Sequence, residues 1–224
     1  MRIGIIGSSR IGETAGRLFV GAGHVAVIAS LNPMSELVRE LGGRMRAGTV
    51  TEVAIGADVI VLTVPFVRHV ELPVEGFGGR IVIDATNYHP GRDGSIAELD
   101  ADRITSTQLI AQHLVQARVV KAFNTMDFDT LASAARVDAP REERLALFLA
   151  CDDGDPSSPG GFAGQNDAKN VVVALIEQLG FAAVDTGSLA QGGRLQQPGS
   201  AFYQARLLGG EADAAVAAAR TGLR

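Results

Sequence analysis

Short apolar runs alternate with longer amphipathic stretches along most of this chain. Ile3, Ile5 and Ile6 rise to Gly7, and after a brief polar turn Ile11, Ala15, Leu18, Phe19 and Ala22 recur at helical spacing. That pattern predicts strand, tight turn and helix. Residues 25–29 are a β-branched run expected to form a second buried strand, and residues 44–46 a brief edge strand. The strongest strand signal covers residues 59–64 and stops at Pro65-Phe66, because proline has no N–H to offer a ladder. Residues 81–84 and 119–123 read as two more strands. Between these runs lie a helical stretch ending at Leu41 before Gly42-Gly43, a capping-box pattern at Thr49 and Glu52, and a helix expected over residues 105–114. Residues 88–102 carry Pro-Gly and Asp-Gly turn signals and read as loop.

Regular alternation of strand and helix predicts an α/β protein with a Rossmann-type doubly wound parallel sheet and right-handed crossovers. The texture changes after Pro140. A strand is expected over residues 145–150, then a polar loop over 151–165 that reads as mobile and exposed, a lid or a dimer contact. An amphipathic helix over 168–179 stopped by Gly180, a strand over 181–184, a glycine-rich stretch over 187–193, the stretch 201–208 and an alanine-rich last helix complete the chain. The expected division is a dinucleotide-binding domain over residues 1–138 and a smaller C-terminal α/β domain over residues 139–224 that closes the active-site cleft. The apolar C-terminal helix adds the expectation of a homodimer.

Composition narrows the function classes. Hydrophobic residues at 46% and charged residues at 20% are ordinary for a folded globular protein and argue against disorder. A formal charge of −5, with basic residues scattered, gives no general attraction to nucleic acid or anionic membrane, so any phosphate must be held locally. Aromatic residues at 5% and the lack of Trp leave little for a base-stacking platform. The single Cys151 rules out an internal disulfide and a cysteine cluster for zinc, and no metal site is predicted. With no leader pattern and no apolar stretch near the roughly 20 residues that span a bilayer, the expected location is cytoplasmic.

The chemistry sits at the strand ends. A strand–turn–helix unit aims unpaired N–H groups and a positive helix end at one spot, as a dinucleotide pyrophosphate requires. Gly7, Ser8, Ser9, Arg10, Ile11 and Gly12 form that turn, with Ser9 at the position of the usual middle glycine. Its hydroxymethyl group either pushes the phosphate outward or donates to it. After the second strand come Ser30, Leu31 and Asn32, with no acid to hold an adenosine ribose hydroxyl, which favours NADP over NAD. Ser30 and Asn32 serve equally well as helix caps before Pro33. Asp84-Ala85-Thr86-Asn87 ends a strand and faces the crevice or ties its own loop. Lys121, inside an apolar run, is expected to snorkel or pair with an acid. His24, His69, His89 and His113 are dispersed, His89 reading as a loop residue, and neither a Ser-His-Asp set nor a carboxylate pair emerges. No catalytic residue is assigned.

Val64-Pro65-Phe66, Asp84-Ala85-Thr86-Asn87 and Val119-Val120-Lys121-Ala122-Phe123-Asn124-Thr125, in order behind the glycine turn, resemble the NADPH-dependent reductases of the deazaflavin coenzyme F420. Asp167-Ala168-Lys169, Gly180-Phe181 and Asp185-Thr186-Gly187-Ser188-Leu189 extend the resemblance over nearly the whole chain. The run also resembles the cytosolic reductase domain of six-transmembrane metalloreductases. The resemblance implies bound NADP(H) and hydride transfer between nicotinamide C4 and a deazaflavin or another flavin, by alignment of two rings rather than by an acid or base. It implies that Gly7, Ser9, Arg10, Ile11 and Gly12 contact the pyrophosphate and Ser30 the 2′-phosphate. Val64, Pro65 and Phe66 would then border the ribose, with Ala122, Phe123 and Asn124 on the nicotinamide side and Asn87 beside them. Ser9, Leu31 in place of an arginine, and an insertion between Asp153 and Asp167 depart from that pattern. Competing expectations are a non-catalytic NADP(H) sensor and a reductase of small carbonyls, for which Lys121 or His89 would have to supply the proton.

Overall fold

The computed structural model describes residues 1–30, 35–152 and 165–222. In chain order the elements are β1 Arg2–Ile6, α1 Arg10–Gly21, β2 Val25–Ala29, α2 Ser35–Leu41, β3 Met45–Ala47, α3 Val50–Gly56, β4 Val59–Leu62 and β5 Ile81–Asp84. The short helices α4 Pro90–Asp93 and α5 Ala97–Asp100 follow, then α6 Ser106–His113, β6 Arg118–Ala122, α7 Phe128–Ser133, β7 Ala146–Ala150, α8 Gln165–Gln178, β8 Ala182–Gly187 and α9 Gly209–Gly222. Several boundaries follow from local side-chain chemistry. Thr49 and Glu52 make a reciprocal capping box at α3, Thr105 and Gln108 another at α6, and Asp127 caps α7. Each cap satisfies N–H groups that the first helical turn leaves without partners.

The strands form one sheet in the order β3-β2-β1-β4-β5-β6-β7-β8, parallel from β3 to β6, as the alternating pattern predicts. Both faces of the central strands are buried, so they read as continuous apolar runs. Val59 and Val61 of β4 pack with Phe19 of α1, Leu131 of α7 and Leu175 of α8 on one face. Ile60 and Leu62 pack with Val53 of α3, Phe66, Phe77 and Ile110 of α6 on the other. A third cluster seals the last two strands, where Phe148 stacks on Phe202 at 4.6 Å beside Val216 of α9.

β7 lies beyond the strands for which a parallel sheet is expected. It runs antiparallel to β6 and meets only its end, Lys121 opposite Ala150 and Ala122 opposite Leu149. The first half of β7 therefore runs past the carboxyl end of β6. Residues that follow β8 are carried to the same place, for Ala146 N donates to Leu207 O at 2.9 Å and Gln204 N to Thr125 O at 2.8 Å. Residues 88–102, expected as loop, hold α4 and α5 instead. Pro90 stands at the start of α4 with the preset φ a helix needs, and Asp93 Oδ2 accepts from His89 N at 2.9 Å. The expected polar loop lies mostly outside the described residues.

Candidate functional site

The glycine turn is built on close backbone approach. Gly7 has φ +117°, and a Cβ there would lie 2.7 Å from both the carbonyl carbon and Oγ1 of Thr63. At Gly12 a Cβ would lie 2.6 Å from the same Oγ1. Thr63 continues from β4 and donates to Ile6 O from its N at 2.8 Å and its Oγ1 at 3.2 Å, so this one residue wedges the turn between β1 and α1. Gly7 N donates to Ala29 O at 2.9 Å, which brings the end of β2, with half-buried Ser30, alongside.

Ser9 is the N-cap of α1. Its Oγ accepts from Gly12 N at 3.2 Å, which leaves the hydroxyl proton to donate outward. Arg10 and Ile11 occupy the first two helical positions, whose N–H groups have no carbonyl within the helix. The turn thus presents donors and a positive helix end. The Arg10 guanidinium lies 4.5 Å over the Phe128 ring, linking the turn to the start of α7.

The ends of β5 and β6 are joined by a buried polar network. Asp84, fully buried, accepts from Thr86 N at 2.8 Å, Thr107 Oγ1 at 2.6 Å and Lys121 Nζ at 3.0 Å. Lys121, 1% exposed, also donates to Thr86 O. Burial pulls Lys121 below the ordinary lysine value, and the Asp84 carboxylate opposes that shift. The expected ion-paired lysine is therefore present, and Asp84 ties its own loop rather than facing the crevice. One step beyond, Asn87 Nδ2 donates to Asn124 O at 2.8 Å and Asn124 Nδ2 to Asn87 Oδ1 at 3.0 Å and Gln196 O at 2.8 Å. Both amide hydrogens of Asn124 are thereby used, and its buried Oδ1 has no donor among the described residues. Thr86 Oγ1, Gln196 Oε1 and Gln197 Oε1 share that condition. Such acceptors are normally met by water or a ligand.

At this junction lies a cavity of about 240 Å³. Ile11, Ala85 and Phe123 meet Asn87 and Asn124 on the sheet side. Phe128, Tyr203 and Gln204 stand in the wall that α7 and the late C-terminal stretch contribute. Phe123 has φ +63° and Gln204 φ +59°, so the backbone turns sharply on both sides of the space. Asp127, also in the lining, accepts from Thr130 N and Thr130 Oγ1, each at 2.8 Å. Those hydrogen bonds hold its carboxyl below the usual aspartate value, so it stays ionised at neutral pH.

The fold gathers Gly7, Ser8, Ser9, Arg10, Ile11, Gly12, Ser30, Val64 and Pro65 at the carboxyl ends of β1, β2 and β4, and Asn87, Ala122, Phe123 and Asn124 at those of β5 and β6. Leu31 and Asn32 lie outside the described residues. Phe66 belongs to the core instead of a crevice: it is 0% exposed, stacked on His69 at 4.7 Å and edge-on to Tyr88 at 5.7 Å. Ala122 and Phe123 are likewise fully buried, and of the two only Phe123 stands in the cavity lining. Thr63 escaped the sequence reading, although a polar residue at the end of an apolar run was a usable signal. Tyr203 and Gln204 also escaped it, and no periodicity in their stretch could have revealed them. Lys121 and His89 do not line the cavity.

Fold and site together define a doubly wound α/β protein of the dinucleotide-binding type. Residues 2–88 match the model of the family described as NADP oxidoreductase, coenzyme F420-dependent. The chain is 25% identical over 196 residues to Metalloreductase STEAP3 of Rattus norvegicus, a match covering 84% of this chain and 34% of that protein. It thus spans about a third of that relative's length. Among solved structures, protein SMa0349 of Sinorhizobium meliloti superposes with a TM-score of 0.76 at 29% identity, covering 93% of this chain and 95% of that one. A candidate F420-dependent NADP reductase of Arthrobacter sp. FB24 shares the fold with a TM-score of 0.67 at 20% identity, covering 87% and 89%. Among the described residues no helix is long and apolar enough to cross a membrane, and no group of side chains is arranged to hold a metal ion.

Proposed function

We propose that this NADP-dependent oxidoreductase passes a hydride between the nicotinamide of NADP(H) and a deazaflavin or flavin in the cavity between Ile11, Asn124 and Tyr203. The observation that carries this reading is the continuity of two features. A donor-rich helix start lies at one end, and the cavity, with Asn87 and Asn124 in its lining, adjoins it through Ile11, which belongs to both. That spacing suits a dinucleotide whose pyrophosphate and redox ring lie apart. The names of the relatives, a metalloreductase and an F420-linked reductase, support the same chemistry.

In this reading the N–H groups of Arg10 and Ile11 and the hydroxyl of Ser9 hold the pyrophosphate, with Gly7 and Gly12 permitting the approach. Ser30 and Asn32 receive the 2′-phosphate, with Leu31 between them in place of an arginine, and Val64 and Pro65 border the ribose. NADP(H), when bound, supplies the hydride. The orphaned Oδ1 of Asn124 is complementary to the N–H of a carboxamide, and the backbone from Ala122 to Asn124 forms the floor beneath that ring. Residues 1–138 carry the cofactor, and residues 139–224 close the cleft, chiefly through Tyr203 and Gln204.

Hydride transfer between stacked rings needs alignment and exclusion of water, which rigid strand ends supply. The test is to mix the purified chain with NADPH and oxidised coenzyme F420, FMN or riboflavin. Loss of the acceptor's visible absorbance together with NADPH oxidation is expected. Tight NADPH binding with no acceptor reduced would instead favour a cofactor sensor.

A further inference from the structure

The chain has two tyrosines, and their hydroxyl groups are treated differently. The Tyr88 hydroxyl lies 2.7 Å from Asp100 Oδ1 and 2.9 Å from Gly94 O, and accepts from Ile96 N at 3.0 Å, so its hydrogen-bonding capacity is spent on holding the loop after β5. The Tyr203 hydroxyl has no hydrogen-bond partner among the described residues, and Tyr203 is one of the residues of the cavity wall. Its segment is nevertheless fixed on both sides. Phe202 is 3% exposed and stacked on Phe148, and Gln204, at φ +59°, donates its N–H to Thr125 O. Holding a non-glycine residue in that conformation is unfavourable and persists only where surroundings over-determine it. A phenol is therefore kept in place with its polar end unspent.

Reduction of a two-electron acceptor by hydride takes up one proton when the product is the neutral dihydro form, and few groups in the cavity wall can give one. Asp127 is ionised, held so by Thr130. Asn87, Asn124 and Gln204 carry amides, and Thr125 an alcohol, none of which releases a proton near neutral pH. Lys121 and His89 stand outside the lining.

We propose that Tyr203 is the proton donor to the acceptor reduced in this cavity, a role that rests on the oxidoreductase reading above. As the hydride bonds to one end of the acceptor's polarised double bond, the electron pair of that bond moves to the nitrogen or oxygen at the other end. That atom takes the Tyr203 proton as the O–H bond breaks, and the phenolate recovers a proton from water at the half-exposed side of the residue. The cofactor loses two electrons and one hydrogen nucleus, and the acceptor gains them with the added proton. A guanidinium stabilises the transient phenolate: Arg92 is within electrostatic reach of Tyr203. It is anchored by Nε and Nη2 to the Asp93 carboxylate, both at 2.8 Å, and by Nη2 to Asn87 O at 2.7 Å.

Tyr203→Phe in the full chain tests this, because the hydroxyl it removes bonds to none of the described residues and the ring packing is kept. NADPH affinity is read from nucleotide fluorescence, and turnover from reduction of oxidised F420, FMN and riboflavin in H2O and D2O. The expected result is an unchanged melting temperature, NADPH Kd within about twofold, kcat lowered about 100-fold, and loss of the wild-type slowing in D2O. A variant that keeps kcat within about threefold and the same D2O effect overturns the assignment and leaves the oxidoreductase reading standing. Wild-type protein that binds NADPH but reduces none of the three overturns both the proton donor and the acceptor reading. Wild-type protein that binds no NADPH removes the cofactor site itself.

Discussion

The two ends of the site differ in what they are made of. At the glycine turn, Gly7 and Gly12 lie against Thr63 with no room for a methyl group, and what the turn offers outward is N–H groups and one hydroxyl. Across the cavity the offering is side chains, Asn124 and Tyr203, brought together from the end of β6 and from a stretch about eighty residues later in the chain. The first end tolerates almost no change, because backbone contact has no slack. The second rests on side-chain identity, so its chemistry can be altered while its geometry is kept.

That contrast can be broken at its base first. Lys121→Met strands the Asp84 carboxylate in the core beneath both loops and should lower unfolding free energy by about 3–5 kcal/mol, measured by denaturant titration. Adding Asp84→Leu should restore part of the loss, since the uncompensated charge is gone while Thr86 N and Thr107 lose their acceptor. Failure of the second change to restore anything would mean the pair is not what joins β5 to β6. Gly7→Ala should destabilise by about 3 kcal/mol, since it adds a methyl group 2.7 Å from Thr63 at a positive φ. A stable, nucleotide-binding variant would show that the turn has slack after all.

Smaller effects sharpen the comparison. Ser9→Gly removes a cap at a cost of only a few tenths of a kcal/mol in stability, but it also deletes an outward O–H. NADPH should then bind about tenfold more weakly, or ~1.4 kcal/mol, by calorimetry; tighter binding would mean that Ser9 obstructs the phosphate. The smallest effect is set by pH. Burial holds His69 below the ordinary histidine value, with its Nδ1 bonded to Phe66 O at 2.8 Å. The unfolded chain therefore takes up the proton at a higher pH than the folded one, and stability falls as pH drops below about 6.5. His69→Leu should flatten that part of a melting-temperature profile; an unchanged slope would assign it elsewhere, His24 being the next group shifted the same way.

Much of the fold was legible because the central strands are apolar runs and α1, α3, α6 and α7 each start at a side-chain cap. The capping box of Thr49 and Glu52 is an example in which local chemistry alone decides the boundary, whereas β4 ends at Leu62, short of the stop expected at Pro65. The antiparallel course of β7 was not legible, since an apolar run has no direction and only the long return through α7 sets it. Phe66 misled for a related reason: a ring at a strand end can face a crevice or the core, and packing on His69 settles which. Ser9 was read as a departure from a glycine pattern and is an N-cap, a role its residue type does announce. Tyr203 lay beyond sequence reasoning because its position depends on Phe202 meeting Phe148 and Gln204 meeting Thr125, contacts between segments far apart in the chain.

The most direct test of the central claim is a single-turnover mixing experiment. Enzyme in excess, loaded with NADPH, is combined with oxidised coenzyme F420, and both absorbances are followed. The account predicts that the deazaflavin bleaches in step with NADPH oxidation, one for one. Bound NADPH that persists unoxidised beside F420, FMN and riboflavin alike would contradict it.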